Sequence, residues 1–314
     1  MTILILGSPE DEHSAHMHQH LRSMGQDVEY FDTADFPQRL QITLDPRRFE
    51  GSIRLPEGRI LDFSTIQSIY WRNYRGVLPP SLEDEEQAYI ASNDSRGLLE
   101  SVLIRLPVRW VNGWPAFQLH RTKPVQLAIV SALGVLIPET LLANDAESIL
   151  AFADRHPHSI FKPVQGGAHA RPLTRAHLEP DNLANLSYAP VTLQEEIVGT
   201  NIRVFVVGSR TLACEVRTTE LDFRDDRQPL ILPHELPVEV QDACCAIARS
   251  LDLLWTGIDF RLTPSGSYYF LEANPSPMFL GFERQCGLPL TESLAALLVD
   301  DEFVWMDERN CGGG

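Results

Sequence analysis

The stretch "FLEANPSP" at residues 270–277 limits the folds that this sequence can adopt more than any other stretch does. It predicts a strand that ends at two prolines, which cannot donate a backbone hydrogen bond to a neighbouring strand. Glu272 and Asn274 lie two residues apart, and side chains at that spacing point to the same face of a sheet. Carboxylate and amide oxygens suit Mg²⁺, which fills the rest of its shell with water and substrate phosphates. The stretch therefore predicts a sheet edge that holds a metal ion carrying phosphate.

The preceding strand, "WTGIDFRL", is expected to add a third oxygen ligand. A four-residue turn, "PSGS", would pair Thr263 with Tyr268 and therefore Asp259 with Glu272. Two carboxylates directly opposite each other repel unless a cation relieves them. The alternative is a hairpin with a polar outer face and no metal. In this register Asp259, Glu272 and Asn274 share one face, and the apolar face carries Ile258, Phe260, Leu262, Leu271 and Ala273.

Two lysines and a pair of glycines are candidates for binding the phosphate. Lys162 ends a predicted strand just before Gly166 and Gly167, whose backbone N–H groups could close over phosphate oxygens. Lys123 opens a predicted helix, where the helix dipole adds to its charge in attracting an anion. Either lysine could instead be a surface residue. Their presence beside the carboxylate hairpin favours a phosphate site.

Composition and charge exclude several classes of protein. The chain has 314 residues, 44% of them hydrophobic, and a formal net charge of -17, which argues against nucleic acid as the main partner. The N-terminal sequence lacks a signal peptide and a membrane span, so we expect a cytoplasmic protein. The five cysteines include no CxxC pair, which favours reduced thiols over a disulfide framework or a zinc site. They are Cys214, Cys244, Cys245, Cys286 and Cys311.

The order of predicted elements indicates an α/β (α+β) protein with three parts. Residues 1–110 begin with a strand, a crossover helix and a parallel strand, and lack the GxGxxG of dinucleotide sites. Residues 111–190 form a central part. Residues 191–305 contain "VTLQEEI", "NIRVFVVG" and "RTLACEVRT", which are expected to pair in an antiparallel sheet. Residues 306–314, ending in "CGGG", are expected to be a flexible tail.

Local signals place the helices of the central part. Pro124 suits the first turn of a helix, and Gly134 suits the position just after its end. The next helix is expected to begin at Asn144, with Glu147 three residues on as a variant of the capping box.

Two further patterns are open to more than one interpretation. His13, His16 and His20 are spaced to share one helix face, which is compatible with a metal site, but a solvated helix face is the favoured interpretation. The stretch "IYWRNYRG" carries Trp71, Arg72, Tyr74 and Arg75, which either form the edge of a core or bind a ligand.

The order of these motifs resembles a known family. "RTKPVQLAIVSALGVLIPETLLAND", "IFKPVQGG", "LQEEIVGTNIRVFVVG" and "GIDFRL…YFLEANPSP" resemble the ATP-grasp ligases over roughly residues 111–295. Within that superfamily the chain resembles the graspetide synthetases, the microviridin-type ligases that close rings in a ribosomal peptide. The supporting features are "IYWRNYRG", "WVNGWP" and "CEVRTTELDFRDD". The resemblance implies an ATP-grasp fold with a small α/β lobe at its N-terminal side, a central lobe and a C-terminal antiparallel-sheet lobe.

The resemblance also implies roles for individual residues. Asn201 stands where family members often have an acidic residue that binds ribose, and the amide could still bind a hydroxyl group. The arginines on strands could also be simple ion-pair partners. The implied ATP-binding residues are Lys123, Lys162, Gly166, Gly167, the adenine hinge Gln194, Glu195, Glu196 and Ile197, and Asn201. The implied Mg²⁺ ligands are Asp259, Glu272 and Asn274, and the implied catalytic residues are Lys162, Arg203 and Arg217.

The activity implied by the resemblance is ATP-dependent ring closure in a ribosomal precursor peptide, with its leader and core. Asp or Glu side chains would be activated as acyl phosphates and joined to Ser, Thr or Lys. The alternatives are a ligase for free amino acids or for adding glutamate to a protein tail, and an ATP-binding scaffold without turnover. A hairpin near residues 213–232 is expected to bind the peptide through Phe223, Arg224 and Arg227. The alternative is an ordinary surface hairpin closed by ion pairs between Asp and Arg. A homodimer is common among such relatives.

Overall fold

The computed structural model describes residues 1–165, 168–218 and 229–300, and its first part is an α/β lobe. Four parallel strands form its main sheet in the order β2-β1-β6-β7, and β3, β4 and β5 form a separate antiparallel sheet. The predicted unit of strand, crossover helix and parallel strand is confirmed. The elements are β1 (Thr2–Leu6), α1 (Glu12–Ser23), β2 (Asp27–Tyr30), β3 (Gln41–Asp45), β4 (Glu50–Arg54), β5 (Ile60–Asp62), β6 (Ile66–Trp71), α2 (Glu85–Arg105) and β7 (Arg109–Val111).

The central part contains a small antiparallel sheet in the order β10-β9-β11-β8. The helix expected to begin at Asn144 is instead capped by Asp145, whose carboxylate accepts from the backbone N–H of Ser148 at 2.8 Å. The elements are α3 (Trp114–Arg121), α4 (Lys123–Ala132), β8 (Thr140–Ala143), α5 (Ala146–Arg155), β9 (Ser159–Lys162), β10 (Arg171–Pro172), α6 (Pro180–Leu183) and β11 (Val191–Glu195).

The C-terminal part is built on a five-stranded antiparallel sheet in the order β14-β13-β12-β15-β16. One face packs on α7 and α4, and α9 reaches back to pack against α1 and β6 of the first lobe. The elements are β12 (Thr200–Val207), β13 (Arg210–Arg217), β14 (Leu230–His234), α7 (Val238–Ser250), β15 (Trp255–Leu262), β16 (Tyr268–Asn274), α8 (Leu280–Cys286) and α9 (Leu290–Val299).

Strand β11 does not join this sheet, so the expectation that "VTLQEEI" pairs with the two following strands is wrong. It pairs with β8 and β9. The chain then crosses to the other sheet at Gly199, where an added Cβ would lie 2.1 Å from the backbone oxygen of Leu262. Only glycine permits so close an approach of two backbones. The crossing puts the predicted adenine hinge between the two sheets.

The hairpin of β15 and β16 has the predicted carboxylate pair but a different turn. Leu262 pairs with Tyr268, so the loop has five residues. A bulge at Leu271 shifts the register by one and restores the pairing of Asp259 with Glu272. Phe270 is consequently fully buried, and Leu271, expected on the core face, is only half-buried.

Among the residues that the structure describes, no helix is both long and apolar enough to cross a membrane.

Candidate active site

Two carboxylate–cation pairs lie side by side on the hairpin of β15 and β16. Arg203 Nε donates to Asp259 Oδ1 at 2.5 Å, and its second nitrogen donates to Oδ2 at 3.0 Å. Lys123 Nζ lies 2.5 Å from Glu272 Oε2. Asp259 and Glu272 are cross-strand partners, and each side chain is less than one-fifth exposed, at 14% and 17%. The predicted pairing of Asp259 with Glu272 is confirmed, and in the structure each carboxylate binds a cationic side chain.

The guanidinium of Arg203 is held rigidly. Its strand position is directly opposite Asp259, its side chain is 8% exposed, and its centre lies 5.5 Å from the ring centroid of Phe282. Gly257 makes room for it, because a Cβ there would lie 2.9 Å from Arg203 and 2.8 Å from Pro277. The bidentate pair thus fixes the orientation of the Asp259 carboxylate.

The third predicted ligand, Asn274, is fixed by its neighbours along the edge strand β16. Its Oδ1 accepts from the backbone N–H of Ser276 at 2.9 Å. Gln126 on α4 binds both the N–H and the carbonyl of Ala273, each at 2.9 Å. The Gln126 amide thus supplies hydrogen-bond partners to backbone groups on the outer edge of β16, where the described residues include no further strand to pair with them. The sequence analysis missed Gln126, although a glutamine in the apolar stripe of a helix is a recognisable signal.

The first lobe holds the segment that follows Asn274. Asn112 donates to the carbonyl of Pro275 at 2.7 Å, and Arg72 donates to the carbonyl of Ser276 at 3.0 Å. His13 Nε2 accepts from the backbone N–H of Phe279 at 3.0 Å. Arg72 thus binds a segment of its own chain, and these hydrogen bonds hold the proline-rich end of the hairpin against the first lobe.

The expectation of a solvated histidine face on α1 is wrong for two of its three members. His13 is 7% exposed, and His16 Nε2 lies 2.8 Å from the hydroxyl of Thr291 on α9. The face is covered because the C-terminal helices fold back onto the first lobe. The described residues include no group of three or more His, Cys, Asp or Glu side chains arranged to hold a metal.

His13 makes the stability of the protein depend on pH. Burial and, to a smaller extent, the nearby charge of Arg72 lower the pKa of His13 from 6.5 to about 4. The unfolded chain therefore binds more protons than the folded one between those values, so the stabilising contribution is complete above about pH 6.5 and is lost as the pH falls toward 4. Urea denaturation should show a smaller loss of stability between pH 7 and pH 4.5 in His13→Gln than in wild type. An identical loss in both proteins would contradict this role.

The residues present fit Mg²⁺ and a nucleotide phosphate. By strand register two carboxylates and one amide lie on one face of the hairpin, which is a donor set of hard oxygen ligands. Asp259, Glu272 and Asn274 would hold the ion, which supplies charge neutralisation for the phosphates when bound. Lys123 is already directed at this group.

Lys162 lies in the other sheet, next to the predicted hinge. Its Nζ donates to Gln194 Oε1 at 2.9 Å, and Gln194 Nε2 donates to Thr140 Oγ1 at 2.9 Å. Gln194 is 1% exposed, so a buried side chain fixes the position of the lysine ammonium group. Gly166 and Gly167 lie outside the described residues.

The other residues of the predicted hinge make hydrogen bonds to neighbouring segments of the central part. Glu195 Oε2 accepts from the backbone N–H of Glu139 at 3.3 Å, and the N–H of Glu196 donates to the carbonyl of His158 at 3.0 Å. Ile197 is buried. These contacts attach the hinge to the small sheet.

Arg217 and Asn201 line a recess of about 340 Å³ at the ends of β12 and β13. Arg217 lies three residues along β13 from the strand partner of Arg203, and its guanidinium pairs with Glu215 at 3.0 Å. It is 58% exposed and is not part of the carboxylate cluster. Asn201 Oδ1 accepts from Arg261 at 2.6 Å, a contact that the sequence did not predict.

Comparisons with known proteins agree with this geometry. The model of the RimK-like ATP-grasp domain matches residues 190–298. The ATP-grasp ligase PsnB, solved with a minimal precursor, is 30% identical and has a TM-score of 0.80 over 95% of this chain and 98% of that one. The same protein has been solved with Mg and ADP.

Two further relatives are similar. The macrocyclase MdnC of Microcystis aeruginosa MRC, bound with precursor peptide MdnA, is 25% identical with a TM-score of 0.83, covering 96% of this chain and all of that one. A tetrahydromethanopterin:alpha-L-glutamate ligase of Methanococcus maripaludis is 25% identical over 169 residues, half of this chain and only 58% of that protein. The resemblance found in the sequence is thereby confirmed, and the chain belongs to the ATP-grasp ligases, ATP-dependent enzymes that use Mg²⁺.

Proposed function

We propose that this ligase activates Asp or Glu side chains of a ribosomal precursor peptide as acyl phosphates and closes ester or amide rings with Ser, Thr or Lys side chains. The observation that carries the proposal is the extent of the likeness to PsnB and MdnC, solved with their precursors. It covers at least 95% of this chain, including the first lobe, whereas a match to the ATP-grasp domain alone spans 190–298.

The chemistry needs positioning and charge neutralisation rather than a side-chain nucleophile. The peptide carboxylate attacks the γ-phosphoryl group of ATP and ADP leaves; a hydroxyl or amine then displaces phosphate from the acyl phosphate and loses its proton. Lys123 and Lys162 would bind the phosphates. Arg203 would orient Asp259 and lie beside the transferred group, because it is bound to that carboxylate.

The peptide would lie near the hairpin of β13 and β14. These strands pair antiparallel in the structure, from Ala213 with His234 to Arg217 with Leu230. Arg217 lines the neighbouring recess and is our candidate for binding a substrate carboxylate. Phe223, Arg224 and Arg227, expected to bind the peptide, lie outside the described residues, and their role stays a prediction.

A second candidate is a ligase that joins free amino acids or adds glutamate to a protein tail. It is favoured by the half-chain likeness to the glutamate ligase of M. maripaludis. An ATP-binding scaffold without turnover is the third reading, and the paired carboxylates and lysines argue against it.

Intact mass distinguishes these candidates. Incubated with MgATP and a short precursor rich in Ser or Thr and Asp or Glu, the enzyme should lower the precursor mass by one water per bond and release one phosphate for each. Tandem mass spectrometry before and after mild base would separate ester from amide rings. A rise in mass by glutamate residues would support the second candidate, and no phosphate release with any acceptor would support the third.

A further inference from the structure

The backbone of Ala273 lies between two of the proposed metal ligands. Ala273 separates Glu272 from Asn274 on β16, and its own side chain is fully buried on the core face. The side chains before and after it therefore lie together on the opposite face of the strand. Any shift of the Ala273 peptide groups would change the spacing between the oxygen donors of Glu272 and Asn274.

A side chain takes the place of a neighbouring strand at this position. Among the described residues, β16 is the last strand of its sheet. Gln126 on α4 accepts from the N–H of Ala273 and donates to its carbonyl, each at 2.9 Å, which is the pair of bonds that a residue of a further strand would make. His120 Nδ1 also donates to this carbonyl, at 3.2 Å. Gln126 is 3% exposed, so water has little access to these bonds.

The same helical turn also holds a ligand side chain. Lys123 precedes Gln126 by three residues, so both lie on one face of α4, and its Nζ lies 2.5 Å from Glu272 Oε2. The backbone carbonyl of Asn274 accepts from Thr256 Oγ1 at 2.8 Å. The ligand strand is therefore fixed at three consecutive residues, and α4 supplies the contacts to two of them.

We propose that Gln126, assisted by His120, is a positioning residue for the divalent cation: the hydrogen bonds to Ala273 hold Glu272 and Asn274 at the spacing that Mg²⁺ requires. Mg²⁺ demands near-ideal octahedral geometry at short distances, whereas the larger Ca²⁺ tolerates variable ligand numbers and distances. A rigidly held pair of ligands therefore favours the smaller ion. This inference rests on the proposed placement of the ion on this hairpin.

The test measures ion binding without peptide or turnover. Calorimetric titrations of the full chain with ADP, at a series of Mg²⁺ or Ca²⁺ concentrations, give the affinity of the ADP-bound protein for each ion. Gln126→Met has a side chain of similar length but lacks both hydrogen bonds. It should bind Mg²⁺ about 10- to 100-fold more weakly, the range for losing a group that orients a metal ligand. Ca²⁺ should lose much less affinity, and ADP without metal should bind as in wild type.

Unchanged Mg²⁺ affinity in Gln126→Met, or an equal loss for both ions, would overturn the proposal. Gln241→Met is the matched control, because Gln241 is a glutamine of α7 whose Nε2 donates to the carbonyl of Leu236 at 2.8 Å. It should leave both ion affinities unchanged. A loss of Mg²⁺ affinity as large as that of Gln126→Met would assign the effect to general destabilisation, which thermal denaturation of both variants would also reveal.

His120→Leu provides a second variant in case Gln126→Met does not fold. It removes the longer hydrogen bond to the carbonyl of Ala273 and leaves those from Gln126 in place. The expected loss of Mg²⁺ affinity is about three- to tenfold, again larger than the loss for Ca²⁺. If Gln126→Met does not fold, unchanged Mg²⁺ affinity in His120→Leu would overturn the proposal.

Glu272→Gln in the same titrations separates the positioning role from the placement of the ion. Wild-type Mg²⁺ affinity in Glu272→Gln would show that the ion is not bound on this hairpin, and the proposal would fail with that placement. A loss in Glu272→Gln without one in Gln126→Met would overturn the positioning role alone. Ring closure is scored separately by mass, so its failure would leave this result standing.

Discussion

Glu272→Gln should lower turnover by about two orders of magnitude or more while the protein remains folded. The substitution removes one of the two carboxylates that would hold Mg²⁺, and electrostatic groups of this kind contribute that much to transition-state stabilisation. Its partner Lys123 is 29% exposed, so water can solvate the ammonium group in the variant and the loss of stability should be small. ATP-dependent phosphate release, measured over a range of Mg²⁺ concentrations, checks the expectation.

Asp259→Asn should be equally inactive but less stable, which the sequence alone did not indicate. Its partner Arg203 is 8% exposed, and removing one member of a buried pair leaves a charge without full compensation, at a cost of about 3 kcal/mol. Urea denaturation would separate the two variants. Near-normal rates of phosphate release by both variants at ordinary Mg²⁺ concentration would show that these carboxylates do not belong to the active site. Equal stability of the two variants would show that the ion pair with Arg203 contributes little.

Lys162→Ala should weaken nucleotide binding about 10- to 100-fold, the range for losing a charge-assisted hydrogen bond to phosphate. The lysine acts in the ground state, so we expect the KM for ATP and the Kd for ADP to rise together. The buried Gln194 Oε1 would lose the donor that Lys162 supplies at 2.9 Å, so a moderate loss of stability is expected as well. Lys162→Arg keeps the charge and serves as the matched variant.

The result that would contradict this role is an unchanged ADP affinity in Lys162→Ala. A loss of ring closure with normal ADP binding would instead place Lys162 with the peptide substrate.

Several features could be predicted because they depend on neighbours along the chain. Pro124 and Gly134 mark the two ends of α4, since proline fits a first helical turn and Gly134 adopts φ 79°. The opposition of Asp259 and Glu272 follows from strand alternation, although the turn and the bulge that produce it were not foreseen. The order of the motifs was enough to identify the family.

Other features depend on contacts between distant segments. Gln126 is hydrogen-bonded to Ala273, which lies 147 positions away in the chain, and His13 is hydrogen-bonded to Phe279, 266 positions away. The burial of His13 and the assignment of β11 to a separate sheet follow from how the lobes pack, which local patterns do not encode.

The sequence by itself determined the fold family, the hairpin and the pairing of Asp259 with Glu272, because strand alternation and the succession of motifs are local properties. Only the tertiary structure decided which cation binds which carboxylate and that Arg261 binds Asn201. The physical reason is that side-chain pairing depends on distances between strands and helices far apart in the chain, and those distances exist only after the sheets have formed and packed.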